Sequence, residues 1–398
     1  MPAKVSTPRL IVAAILAIFV YGVIAAMLGT ILPGLSKSFQ LTPEQNGYIA
    51  LAQALGLIIA SLSAGPLVDN KGKKTALVLG LALIAIALFL LPNATGFGTL
   101  MAYLFLLGLG GGIIVTAANA LVSDISEERR ASVLNLLNLF FGLGGMATPF
   151  VASYIFAGNA MRLIYPAAIV ISAVLVLHAA TAMPPPSGTR GFKTAEAGLV
   201  LKRPVLWLLS AFLFLYVACE VGVWNWLTKL LVAQNIPDST AQSVLSLGFA
   251  FGMLLGRVVV SRILMAVRAP TVTLGAAVLM AITTYFMLQA TGVTLVWIAV
   301  FCAGLAMAPV FPTTLAMVGD AFPKMTATAM GIVITAGWIG LAVSSRIIGA
   351  IAGTAVKPDP AQLKTALLII PIFSVLMILV NLILRPMMAK AKAAAGTA

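Results

Sequence analysis

Charge is scarce in this chain. Of 398 residues only 9% are Asp, Glu, Lys or Arg, and only ten are acids. A water-soluble domain carries roughly a quarter of its residues as charges, so a soluble globular fold is excluded. Cysteine and histidine are scarcer still, with two and one. Cys219 and Cys302 both lie in apolar runs, which excludes a disulfide framework and leaves them as packing residues. One histidine and few acids leave no metal-ligand cluster and no nucleophile–base pair. An enzyme is not expected, nor a cofactor or a metal. His178 reads as a peripheral packing residue. The run Gly110–Gly112 is not a phosphate loop, because no strand precedes it and no lysine follows.

What the chain has instead is apolar length. Its residues are 61% hydrophobic and its mean hydropathy is +1.11. Such an excess needs lipid as solvent. A membrane helix takes roughly 20 mostly apolar residues, and that ruler places spans at 9–33, 44–68, 74–94, 97–122, 131–157, 161–183, 204–232, 238–266, 270–291, 294–319, 326–353 and 362–388. Helices follow because lipid satisfies no backbone polar groups and the runs are too long for barrel strands. The fold class is therefore an all-α membrane protein of twelve helices in two pseudo-symmetric six-helix bundles. The N-terminal stretch runs straight into the first apolar segment, so it reads as a span rather than a cleaved signal.

The net charge of +14 comes from basic residues between spans, not from a folded basic face, so nucleic acid is not a partner. Seventeen of the 24 Lys and Arg fall on one side of the twelve spans and five on the other. The positive-inside rule then puts both termini in the cytoplasm of a cell (inner or plasma) membrane protein. Residues 184–203, "PPPSGTRGFKTAEAGLVLKR", form the longest polar connector. They divide the chain into an N-terminal bundle (1–183), a cytoplasmic linker (184–203) and a C-terminal bundle (204–398). The bundles echo each other at an offset of 196: Val122–Asp124 with Val318–Asp320, Phe105, Gly108 and Leu109 with Phe301, Gly304 and Leu305, and Gly56 with Gly252. A parallel repeat of this kind suits two bundles that rock about a central site.

The loop Gly65–Lys74, "GPLVDNKGKK", resembles the signature loop of the major facilitator superfamily, with Asn70 standing at one basic position. Gly65 permits close helix approach. Asp69 can face the N-terminus of a neighbouring helix or a cationic partner across the cytoplasmic seam, and Lys73 belongs to the basic cluster that keeps the loop inside. More narrowly, "FLYVACEVGVWNWL" in span 7, "GLAMAPVFPTTLAMVGDAFP" in span 10 and "TAAN" (Thr116–Asn119) resemble the fucose/glucose/galactose–proton symporter family. That resemblance implies a secondary transporter of a small polar solute, a monosaccharide first, working by alternating access. Two departures stand out. Val115 occupies the place of an acid before "TAAN", and span 1 has no acid from Gly22 to Pro33. Proton coupling is therefore expected to be weak or absent, with H+ only a conditional partner.

Glu220 is the one acid deep within a span. A carboxylate there costs at least a few kcal/mol and is affordable in a wet cavity, as a binding or protonation site, the competing role being a structural partner for a backbone amide, a Trp N–H or an arginine. Trp224, Asn225 and Trp226 beside it, with Gln53, Asn119, Asn135, Asn138 and Trp338, suit the apolar faces and hydroxyl edges of sugars. For each amide an interhelical hydrogen bond is the competing role. Arg257 reads as a gating residue in span 8, with Asp69, Gly65 and Lys73 as the other gate residues. Arg346 lies in the outer half of span 11, where it can pair with Glu220 or hold an anion. Pro309 and Pro312 should kink span 10 and free carbonyls. The rivals are an organic-anion exchanger using Arg346, a drug-type exporter suggested by 17 Met and 19 Phe, and a non-transporting membrane receptor. The protein is expected to act as a monomer in the lipid bilayer.

Overall fold

The computed structural model describes residues 7–41, 43–156, 159–184, 194–352 and 359–395. Among the described residues every regular element is helical, and twelve helices are long and apolar enough to cross a membrane. They are Thr7–Leu32, Tyr48–Lys71, Lys73–Asn93, Phe97–Ile125, Arg130–Thr148, Met161–Ala180, Pro204–Ala233, Thr240–Ile263, Ala269–Gln289, Val293–Ala321, Thr326–Ala352 and Pro360–Ala389, numbered here as spans 1–12. The expected spans match these one for one. Span 5 is the largest difference: regular α-helix stops at Phe150 and a π-helical turn, Val151–Ile155, follows.

Local chemistry sets the ends. Gly72 has φ 87, a left-handed value that glycine adopts without strain, and so turns the chain between spans 2 and 3. Pro204 opens span 7 in the first helical turn, where its missing N–H costs nothing. Span 10 is interrupted at Ala308–Pro309, between helices Val293–Met307 and Val310–Ala321. Neither Pro309 nor Pro312 can donate to the carbonyl four residues back, so those of Leu305 and Ala308 lose their helical partners. Of the linker, residues 185–193 lie outside the described residues, and Thr194–Leu201 is a two-turn helix.

The chain forms two compact units. One comprises Met1–Glu127, Leu137–Val200 and Phe322–Thr335; the other comprises Glu128–Leu136, Leu201–Ala321 and Ala336–Ala398. The first thus contains the opening turns of span 11, and the second the opening turns of span 5. Inside the first unit, spans 2 and 4 cross backbone to backbone. A Cβ on Gly108 would lie 2.1 Å from the Gln53 carbonyl oxygen, and one on Gly56 would lie 2.3 Å from that of Phe105. Inside the second unit, spans 8 and 10 cross in the same way: Gly304 against the Phe249 oxygen at 2.3 Å and Gly252 against the Phe301 oxygen at 2.4 Å. All four contacts obey the offset of 196, so the sequence repeat is a repeat of helix crossings. Without hydrophobic driving force in lipid, small residues at such crossings let dispersion contacts hold helices together.

Candidate functional site

In the second unit, span 7 carries one polar stripe at four-residue spacing: Tyr216, Glu220 and Trp224. Residues four apart share a helix face. Glu220 is half-buried. An intramembrane carboxylate is tolerable where it faces the protein interior or a water-filled cavity. The Tyr216 hydroxyl, the Trp224 indole and the Arg257 guanidinium all face it within electrostatic reach. Tyr216 is fully buried and Arg257 nearly so. The arginine that approaches Glu220 is therefore Arg257 of span 8; Arg346 lies exposed on span 11. Trp224 meets Phe249 edge to face, with ring centroids 5.3 Å apart. Phe249 closes a π-helical turn, Val244–Phe249, at the start of span 8. Such turns re-aim side chains and recur at functional sites.

The neighbouring candidates do not all join this stripe. Asn225 is exposed. Trp226 lies on the other side of the helix, with Lys229 Nζ 4.4 Å from its ring centroid, and a Cβ on Gly349 would lie 3.6 Å from the ring. Trp338 is half-buried on span 11.

The amides sit elsewhere. In the first unit Asn119 and Asn138 are buried. Asn138 Nδ2 donates to Asn119 Oδ1 at 3.0 Å, and Asn119 Nδ2 donates to the Val115 carbonyl at 2.7 Å. This is an interhelical tie between spans 4 and 5. Gln53 is also buried; its backbone carbonyl forms the floor against which Gly108 packs. In the second unit Asn135 Nδ2 donates to Thr313 Oγ1 at 3.0 Å and to the Ala131 carbonyl at 2.9 Å, while its Oδ1 has no hydrogen-bond partner among the described residues. Thr313 follows the proline break of span 10, so the break presents a hydroxyl to Asn135. His178 packs span 6 on span 1, its ring nitrogens 2.8 Å and 2.9 Å from the carbonyls of Val174 and Ala13.

The signature loop makes definite contacts inside the first unit. Asp69 Oδ2 accepts from Thr328 N at 3.0 Å and from Thr328 Oγ1 at 2.5 Å. Thr328 is the third residue of span 11, so Asp69 satisfies one of that helix's unpaired N–H groups and faces its positive dipole end. Gly65 makes this possible, since a Cβ there would lie 2.4 Å from Thr328 Cα. Lys73 Nζ contacts Asp124 Oδ2 at 2.7 Å. The counterpart of Asp124 by the offset, Asp320, is bonded to Arg130 within the second unit.

Sequence reasoning missed several of these residues. Tyr216 was legible, four residues before Glu220 on one helix face. Arg130, Thr313, Thr328 and Phe249 were not, because their partners lie far along the chain and no local pattern announces them.

Comparison with known proteins fits this architecture. A profile described as Major Facilitator Superfamily matches residues 14–345 and 222–397. A relative from Saccharomyces cerevisiae, bypass of stop codon protein 6, is 21% identical over 383 residues, covering 86% of this chain and 77% of its own. The 4-hydroxybenzoate transporter PcaK of Pseudomonas aeruginosa is 34% identical over 142 residues, only 35% of this chain and 31% of that transporter. Among solved structures, a variant of the E. coli fucose:proton symporter FucP superposes with a TM-score of 0.78 at 18% identity, covering 95% of this chain and 98% of that one. At that identity the likeness speaks for the fold. With twelve spans, a six-span repeat and a matching profile over nearly its whole length, this chain belongs to the Major Facilitator Superfamily.

Proposed function

We propose that this transporter moves a small neutral polar solute, a monosaccharide, by alternating access, with weak or no proton coupling. The observation that carries the reading is the stripe Tyr216–Glu220–Trp224 with Arg257 opposite it. A carboxylate accepts from hydroxyls, and an indole edge packs on apolar sugar C–H groups. Glu220 and Arg257 carry opposite charges, so together they offset one another and favour a neutral solute over an anion. Asn225, Trp226, Trp338 and Asn135 supply further polar and aromatic surface of the same unit in the proposal, whereas Gln53, Asn119 and Asn138 serve the packing of the first unit in this reading. The likeness to a fucose:proton symporter agrees with it.

The proposed gate is the loop between spans 2 and 3. Asp69, Gly65 and Lys73 would hold span 11 and span 4 at one membrane side, with Arg130 and Asp320 as a second clasp. Both termini lie in the cytoplasm of the cell membrane in this reading, the two bundles are 1–183 and 204–398, and the working unit is a monomer.

A second reading, transport of an organic anion, draws on the partial match to a 4-hydroxybenzoate transporter and on Arg346, exposed and free to meet a carboxylate from solution. One screen separates the two. Purified protein is heated with L-fucose, D-glucose, D-galactose, 4-hydroxybenzoate and nicotinate, since a solute that binds the native state raises the melting temperature. Stabilisation by a sugar, and uptake of that sugar into proteoliposomes, is expected. Stabilisation by the acids alone would replace the sugar reading with the anion reading.

A further inference from the structure

The connection between spans 8 and 9 exposes apolar residues between two arginines. Backbone bonds from Met265 N to the Arg262 carbonyl, and from Ala266 N and Val267 N to the Ile263 carbonyl, keep it tight. Ile263, Met265 and Val267 are 42%, 52% and 37% exposed. By the offset of 196 this connection is the counterpart of the signature loop, and Met265 stands in the place of Asp69. It has no acid with which to cap a neighbouring helix. Exposed apolar groups rimmed by charge mark a surface that meets a partner or a membrane.

A third arginine joins these two. Asn381 of span 12 donates from Nδ2 to Thr273 Oγ1 of span 9 at 2.8 Å, and both residues are fully buried. Odd and even spans run in opposite directions, so this bond fixes which ends of the two helices meet. At 1.5 Å per residue, Arg268 lies about 7.5 Å along the axis from Thr273, and Arg385 about 6 Å from Asn381, both towards the same end. Arg262, Arg268 and Arg385 are all exposed and make no ion pair among the described residues. Span 9, span 12 and the connection contain no acid. On the membrane side of Arg385, Leu382 and Ile383 are 52% and 57% exposed.

We propose that this corner of the second unit binds an anionic phospholipid. Arg262, Arg268 and Arg385 hold the headgroup phosphate. Ile263, Met265 and Val267 enter the headgroup layer, and Leu382 and Ile383 receive the acyl chains. Basic pockets between membrane helices hold acidic headgroups in this way, and a guanidinium meets a phosphate through paired N–H donors. The proposal involves neither Glu220 nor the identity of the solute.

The test titrates full-length protein in neutral detergent with dioleoylphosphatidylglycerol, with dioleoylphosphatidylcholine as the zwitterionic control. Bound lipid is counted by native mass spectrometry and the melting curve is followed alongside. Wild type should prefer the anionic lipid by about tenfold or more. Arg268→Gln and Arg385→Gln should each weaken its binding about fivefold, the effect of one arginine at an anionic surface. Arg9→Gln, which replaces an exposed arginine of the first unit, should leave it unchanged. Because the replaced side chains are exposed, the variants should melt with wild type in phosphatidylcholine. Equal affinity for the two lipids overturns the proposal. So does a loss from Arg9→Gln as large as that from Arg268→Gln and Arg385→Gln, since net charge alone would then attract the lipid. Glycerol phosphate is the soluble counterpart of the headgroup. If it stabilises the protein as much as the lipid does, the corner is a site for free phosphate esters and the lipid proposal fails.

Discussion

The two halves of this chain cross their helices in the same way and fill those crossings with different chemistry. Gly56 and Gly108 in the first half do what Gly252 and Gly304 do in the second, each meeting a backbone carbonyl where a Cβ would not fit. At the same offset of 196, however, Gln53 corresponds to Phe249, Ser61 to Arg257, Asn119 to Leu315 and Ile24 to Glu220. The first half holds an isoleucine and a serine where the second holds the half-buried Glu220 carboxylate and the buried Arg257 guanidinium. Glycine at the crossing is a steric requirement that both halves share. The side chains one turn away are free of it, and there the halves have diverged. The charged half is where solute chemistry is to be sought.

The largest expected effect attacks what the halves share. Gly108→Ala and Gly304→Ala should each destabilise by about 1–3 kcal/mol or more, because the added carbon meets backbone that cannot step aside. Gly29→Ala and Gly98→Ala, with no atom within 4 Å of the new carbon, should leave the melting temperature unchanged. Equal loss in all four would remove the crossing repeat from the account.

Next comes Asp69→Asn. It keeps the shape of the cap on Thr328 but removes the charge facing the helix dipole, worth about 0.3–1 kcal/mol. As a gate residue in the proposal, Asp69 should change the transport rate more than the apparent affinity for solute. Affinity loss with an intact rate would place Asp69 at the solute instead.

A smaller effect is expected from Asn138→Leu. The Asn119–Asn138 bond should be worth about 0.6 kcal/mol, typical of interhelical hydrogen bonds in membranes, with solute affinity preserved if these amides are ties. An affinity loss of tenfold with little change in melting would move the binding chemistry into the first half and break the comparison.

Much of this was legible in the sequence, for physical reasons that differ from part to part. The twelve spans were, because lipid demands long apolar runs whatever the tertiary structure. The repeat was, because glycine at a crossing has no substitute. Glu220 stood out because a carboxylate in an apolar helix is costly and so noticeable. Its surroundings did not. Arg257 was read as a gate and Arg346 as a candidate partner, since an offset in sequence does not say which helix faces which. The bond of Arg130 to Asp320 and the cap of Asp69 on Thr328 join residues 190 and 259 positions apart, and only the folded chain brings them together.

The most direct measurement is uptake of the stabilising sugar by proteoliposomes containing wild type, Glu220→Gln or Asn119→Leu, each shown to be folded by its melting curve. Gln keeps the shape and one acceptor of Glu220 while removing its charge. Glu220→Gln is expected to lower uptake at least tenfold while Asn119→Leu retains most of it. Wild-type uptake by Glu220→Gln, with the loss falling on Asn119→Leu, would contradict the claim that the charged half carries the solute.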